Sequence, residues 1–148
     1  MNLSFNSTGH LHKDVELTLE EFIQLFGTNP SRKEKIKNAL RFFKIFSSCG
    51  CSTVYIGGSF VSTKQNPSDI DLCFDFTTLD DNKLKKEFPE FFGHNRINKL
   101  GEIRRTLKCH LFTFDNEDTT MLEYLQEDRD KNPKGLVKII LKKGYNYD

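Results

Sequence analysis

Tyr55-Ile56-Gly57-Gly58-Ser59, followed after nine residues by Asp69-Ile70-Asp71-Leu72-Cys73-Phe74, is the stretch on which the reading of this chain turns. Thr53 to Ile56 is rich in β-branched and aromatic residues, which predicts a short buried strand broken by Gly57-Gly58-Ser59. After a loop holding Lys64, Asn66 and Pro67 an alternation follows. Ile70, Leu72 and Phe74 share one face of a second strand, and Asp69, Asp71 and Cys73 share the other. At ~3.3 Å per residue the two aspartates lie only ~7 Å apart along the chain. Neighbouring carboxylates repel unless a cation sits between them. A hard divalent ion with a preference for oxygen, Mg²⁺ or Mn²⁺, resolves the conflict. A strand that ends in Gly-Gly-Ser bares backbone amides, and with the Ser59 hydroxyl these suit a triphosphate. Joined, the two halves describe a site for a metal–nucleotide complex, with in-line attack on the α-phosphorus and pyrophosphate leaving. Each half alone is ordinary: Asp-x-Asp is commonly a solvated strand face, and Gly-Gly-Ser a turn.

Working outward, Thr18-Leu19-Glu20-Glu21 is a capping box that opens a first helix, with Phe22, Ile23, Leu25 and Phe26 apolar and Gly27 as its stop. Ser31-Arg32-Lys33-Glu34 repeats the box. Ile36, Leu40, Phe43 and Phe46 then recur at helical spacing, and the helix should end near Ser47-Ser48. Beyond the central motif the pattern predicts a helix over 79–92 limited by Pro89, and a strand from about Arg105 to Phe114. A helix from Asp118 to Glu127 and a last strand from Leu136 to Leu141 complete it. The expected order is α-α-β-β-α-β-α-β, a mixed α/β (α+β) chain whose mixed sheet is flanked by helices. Residues 1–50 would be the helical N-terminal part of one domain, and 51–148 its α/β core.

Composition sets limits. The chain has 148 residues, 36% apolar and 29% charged, enough for a real core, and 14 phenylalanines point to a phenylalanine-rich one. Lys and Arg number 22 against 21 acidic residues, a formal charge of +1. That balance argues against a binder working mainly by phosphate neutralisation, but a local basic cleft remains compatible with it. No apolar run approaches the roughly 18 residues of a membrane span, and Met1-Asn2-Leu3-Ser4-Phe5 lacks a signal-peptide layout, so a cytoplasmic location is expected. Cys49, Cys51, Cys73 and Cys109 read as reduced, partly buried thiols, because Cys49-Gly50-Cys51 is too tight for a zinc knuckle. His10 and His12 read as surface polar residues, with nothing nearby to complete a metal site.

The central motif resembles the signature of the DNA polymerase β-like nucleotidyltransferase superfamily, in which Gly-Gly or Gly-Ser precedes an Asp-apolar-Asp/Glu-apolar strand. Tyr55 to Lys64 together with Asn66 to Leu72 is similar to a small bacterial branch of it. The likeness extends to Phe5-Asn6, to Leu17 through Phe22, to Gln126 through Arg129 and to Pro133 through Val137. The resemblance implies a polymerase β-like fold and a Mg²⁺- or Mn²⁺-dependent transfer of NMP from NTP. Asp69 and Asp71 would hold metal, and Gly57, Gly58, Ser59 and Lys64 would attend the nucleotide. It further implies an acceptor such as RNA, tRNA or a protein hydroxyl. A partner or antitoxin chain would be expected too, since many minimal relatives sit in toxin–antitoxin or phage-defence modules.

Active members of the superfamily carry a third carboxylate on a later strand, where this chain has His110. Three readings stay open. His110 replaces the base, Asp115 or Asp75 reaches the site, or the domain is catalytically impaired and binds a nucleotide or a partner protein. Lys64 is equally a solvated loop lysine. Arg104, Arg105 and Lys108 read either as the acceptor side of the cleft or as a charged strand edge, and Lys134-Gly135 as a phosphate contact or, more simply, a turn.

Overall fold

A computed structural model describes residues 3–148. In chain order the elements are β1 (Val15–Glu16), α1 (Leu19–Phe26), α2 (Pro30–Ser48), β2 (Thr53–Gly57) and β3 (Ile70–Asp75). Then come α3 (Asp81–Glu87), α4 (Arg96–Leu107), β4 (Cys109–Phe114), α5 (Thr120–Leu125) and β5 (Val137–Ile140). The mixed α/β class expected from sequence is what is observed.

The Thr18 capping box forms as written. The Thr18 hydroxyl accepts from the Glu21 amide at 3.1 Å, and Glu21 Oε1 accepts from the Thr18 amide at 2.9 Å. The second box does not form. Asn29 caps α2 by accepting from the Arg32 amide at 2.8 Å, and Pro30 takes the first helical position, where a missing N–H costs nothing. Ser31 is left to accept from Lys35 Nζ at 2.7 Å.

The five strands order as β1-β5-β2-β3-β4. β2 runs antiparallel to both β3 and β5, whereas β3–β4 and β1–β5 are parallel pairs. β1 has no counterpart in the expected order, and through it the mostly helical first fifty residues also add a strand to the sheet. The parallel β3–β4 pair needs a crossover, supplied by α3, a 3-10 turn at Pro89–Phe91, and α4. The single helix expected over 79–92 therefore stops at Glu87, since Pro89 cannot donate to a continuing helix. The strand expected from Arg105 begins only at Cys109. Residues up to Leu107 belong to α4, which closes at Lys108 in the left-handed conformation, φ 59°.

The two sheet faces are covered unequally. Beneath one, Ile70, Leu72 and Phe74 are fully buried against α2, with Phe46 and Phe43 rings 4.4 and 6.1 Å from Phe74. Each such fully buried side chain contributes about 1.5–3 kcal/mol, so this phenylalanine-rich side dominates stability. The opposite face holds Cys73, Leu125 and Leu136 with Tyr55, Phe112 and Phe114 packed on them, under the short helix α5. Asp71 and His110 belong to this thinly covered face, Asp71 beside the end of α5. No helix among the described residues is long and apolar enough to cross a membrane.

Candidate active site

Register builds the site. Gly57 lies opposite Asp71 across the β2–β3 pair, and Asp71 opposite His110 across β3–β4, which puts three residues in one row over three strands. Asp69 immediately precedes β3, and one ligand atom each from Asp69, Asp71 and His110 fall within 4.8 Å of one another. His110 Nδ1 stands 3.5 Å from Asp71 Oδ1. The two aspartates that the sequence paired are therefore brought together, and the residue in place of a third carboxylate joins them.

The two carboxylates are served differently. Arg104, in the last turn of α4, places Nε 2.8 Å from Asp69 Oδ2. Asp71 Oδ1 is buried and has no hydrogen-bond partner among the described residues. A carboxylate oxygen taken out of water without a donor is costly, and a cation is a partner that repairs it. Gly58 shapes the other side of the same carboxylate. It sits at φ 71°, and a Cβ there would run into Asp71 Oδ2. Two carboxylates and an imidazole, one oxygen orphaned and the backbone drawn close, fit a divalent cation. The nitrogen donor suits Mn²⁺ better than Mg²⁺, which favours an all-oxygen set.

The remaining sequence candidates divide. Ser59 is half-buried at the start of the 3-10 turn Gly58–Val61, and its hydroxyl makes no hydrogen bond among the described residues. Gly57 is fully packed: a Cβ would meet Leu136 Cδ2 at 2.8 Å and Leu125 Cβ at 3.6 Å, so its need for glycine comes from the core. Lys64 lines a different depression, beside Phe26, Thr28 and Ser62. Asp75 pairs in register with Phe114, four residues along the strand from Asp71 and so about 13 Å away at ~3.3 Å per residue. Its Oδ1 accepts from the Thr77 amide, and Asp115 Oδ1 accepts from the amides of Glu117 and Asp118. Neither belongs to the metal-competent group, which leaves His110 alone in the third position. His10 and His12 join no such group among the described residues. Lys134, read more simply as a turn residue, instead lines the same depression as Asp71.

Sequence reasoning missed Arg32. This guanidinium is buried, has no carboxylate partner among the described residues, and donates to the carbonyls of Phe26 (3.2 Å), Phe60 (2.7 Å), Ser62 (3.4 Å), Gln65 (3.2 Å) and Lys64. It also lies over the Phe60 ring at 4.8 Å. Arg32 thus ties α2 to the turn carrying Gly58 and Ser59. The only signal was an arginine in the first turn of an apolar helix, which reads as surface charge.

All four cysteines are free and buried. Burial pushes Cys51, Cys73 and Cys109 up to about 12, and Cys49 upward as well, so they are protonated thiols at neutral pH.

No curated protein and no solved structure matches the chain. Residues 3–140, nearly its whole length, match the model of a family of unknown function, DUF6932, and the chain belongs to that family.

Proposed function

We propose that this protein is a divalent-metal-dependent nucleotidyltransferase with a polymerase β-like fold, moving a nucleoside monophosphate from NTP to an acceptor hydroxyl or phosphate. One observation carries the reading: the buried, partnerless Asp71 Oδ1, grouped with Asp69 and His110 and pressed from the other side by Gly58. The Gly57–Ser59 turn and the Asp69–Asp71 strand supply the two halves that such chemistry requires.

Asp69 and Asp71 hold the cation, Mn²⁺ or Mg²⁺, which when bound screens the phosphate charge and polarises the α-phosphorus. The Gly58 amide region and the Ser59 hydroxyl orient the phosphates. The acceptor oxygen forms a bond to the α-phosphorus as the bond to the bridging oxygen breaks, pyrophosphate carries away that electron pair, and the acceptor's proton passes to the imidazole of His110, which in this step serves as base beside the cation and not as its ligand. The acceptor, in this reading, is an RNA or a protein, and its recognition falls to a partner chain, in keeping with a minimal catalytic unit from a toxin–antitoxin or defence module acting in the cytoplasm.

A second reading has its own observation. With His110 in place of a carboxylate and Arg104 bonded to Asp69, the site has less negative charge to offer than a two-metal enzyme needs. A nucleotide-binding module without transfer activity fits that deficit. The two part on one experiment. Purified protein with labelled NTPs and Mn²⁺ or Mg²⁺ should label an acceptor in lysate, and Asp69→Asn/Asp71→Asn should abolish the label. Nucleotide binding with no transfer under either metal favours the module. Labelling that persists in the double variant removes these carboxylates from the mechanism.

A further inference from the structure

Asp71 lines an open depression of about 900 Å³ together with the end of α5 and the segment 126–134. That segment is closed on itself. Glu127 and Pro133 form an antiparallel bridge, the Lys134 amide donates to the Gln126 carbonyl at 2.8 Å, and Asp128 Oδ1 accepts from the Asp130 and Asn132 amides at 2.8 and 2.9 Å. Its shape is set before any ligand arrives, which lowers the ordering cost of binding.

Two features of the lining have no internal use. Tyr124 is 69% exposed, although its neighbour Leu125 is buried. Arg129, Lys131 and Lys134 make no ion pair among the described residues. They do not make the depression basic, because Glu123, Glu127, Asp128 and Asp71 line it too. With carboxylates outnumbering cations, a bare polyphosphate meets net repulsion, and a divalent ion at Asp71 reverses the sign. The chemistry therefore selects an anion that arrives chelated to metal, and the exposed ring beside it selects one with a flat π-face.

Resting on the metal site proposed above, we infer that this depression seats a metal-chelated nucleotide, with the base on Tyr124 and the outer phosphates on Arg129, Lys131 and Lys134. Stacking discriminates poorly among bases, so purines bind better than pyrimidines only through their larger face.

The test is calorimetric titration of the intact chain with Mn²⁺-ATP and, separately, with Mn²⁺ and inorganic triphosphate. Tyr124→Ala should weaken ATP by about fivefold or more while leaving triphosphate within about twofold, because only the base loses its platform. Tyr124→Phe should bind ATP as the unmodified protein does. Arg129→Ala/Lys134→Ala should weaken both ligands. Unchanged ATP affinity in Tyr124→Ala and in the double charge variant overturns the subsite. Electron paramagnetic resonance of Mn²⁺ without nucleotide separates the failures. Binding lost in Asp71→Asn, with Tyr124→Ala indifferent to ATP, leaves the metal site standing and the subsite wrong. Absence of Mn²⁺ binding in the unmodified chain overturns both.

Discussion

Arg104 Nε bonds Asp69 Oδ2 at 2.8 Å, so a carboxylate grouped for a metal already holds a cation of the protein's own. An incoming ion has to share or displace that guanidinium. Arg104 is half-exposed, and a pair of this kind is worth about 0.2–1 kcal/mol. Arg104→Gln should therefore tighten Mn²⁺ binding by about two- to fivefold, measured by titration calorimetry. Affinity that stays the same or falls would mean that the arginine orients Asp69 instead of competing for it.

Gly58 faces the other end of the same cluster. Gly58→Ala must place a Cβ against Asp71 Oδ2 while holding φ 71°. The strain should lower stability by about 1–3 kcal/mol and weaken Mn²⁺ binding at the same time. Chemical denaturation and calorimetry on one preparation test both. A variant with full stability and full metal affinity would show that the close approach is not needed.

Arg32 donates to five backbone carbonyls and meets no carboxylate, so its removal orphans acceptors rather than a charge. Arg32→Met keeps the apolar stem but loses the guanidinium over Phe60, and should cost about 3 kcal/mol or more, since three of the carbonyls are buried and each unpaired one costs about 1–3. The turn that carries Ser59 should loosen with it, seen as faster amide exchange over residues 58–65. Exchange that is unchanged there would confine Arg32 to α2.

What could be read from the chain follows from which forces act locally. The pairing of Asp69 and Asp71 was legible because strand alternation alone sets it. α4 was missed although Leu100, Ile103 and Leu107 recur at helical spacing, because the stripe is thin, only Ile103 is fully buried, and Gly101 sits inside a mostly polar run. β1, two residues long, has no period to read, and its partner β5 lies more than a hundred residues away. The Asn29 cap displaced Ser31 because Pro30 favours the first helical position, a local cue outweighed by the tidier capping box. Arg32 and the Arg104–Asp69 bond depend on tertiary contact and have no local pattern at all.

The thiols give a pH-dependent test. Burial raises Cys51, Cys73 and Cys109 to about 12 in the folded chain, whereas unfolded thiols titrate near 8.5. Folded-state values above unfolded ones mean that the stabilisation is complete below pH ~8.5 and drains away as pH rises toward 12. Native protein at pH 8 should resist iodoacetamide at these three cysteines, with all four modified in denaturant, and the melting temperature should fall steadily above pH ~9. Rapid native alkylation of Cys73, which lies under α5, would show that α5 opens readily.

Asp71 Oδ1 is an expense the metal-free protein carries, since it is buried and makes no hydrogen bond among the described residues, with His110 Nδ1 standing off at 3.5 Å. Asp71→Asn removes the charge with little change in shape, so in chelator it should raise stability by about 1–2 kcal/mol, or several degrees in melting temperature. Added Mn²⁺ should then invert the ranking. It stabilises the unmodified protein through binding to the folded state alone, in proportion to the logarithm of its excess over Kd, and does nothing for the variant. Thermal melts of both proteins with and without Mn²⁺ decide the matter. A variant that is less stable in chelator would mean that Asp71 is held by the fold for its own sake, whereas crossing curves are the mark of a carboxylate kept for a cation.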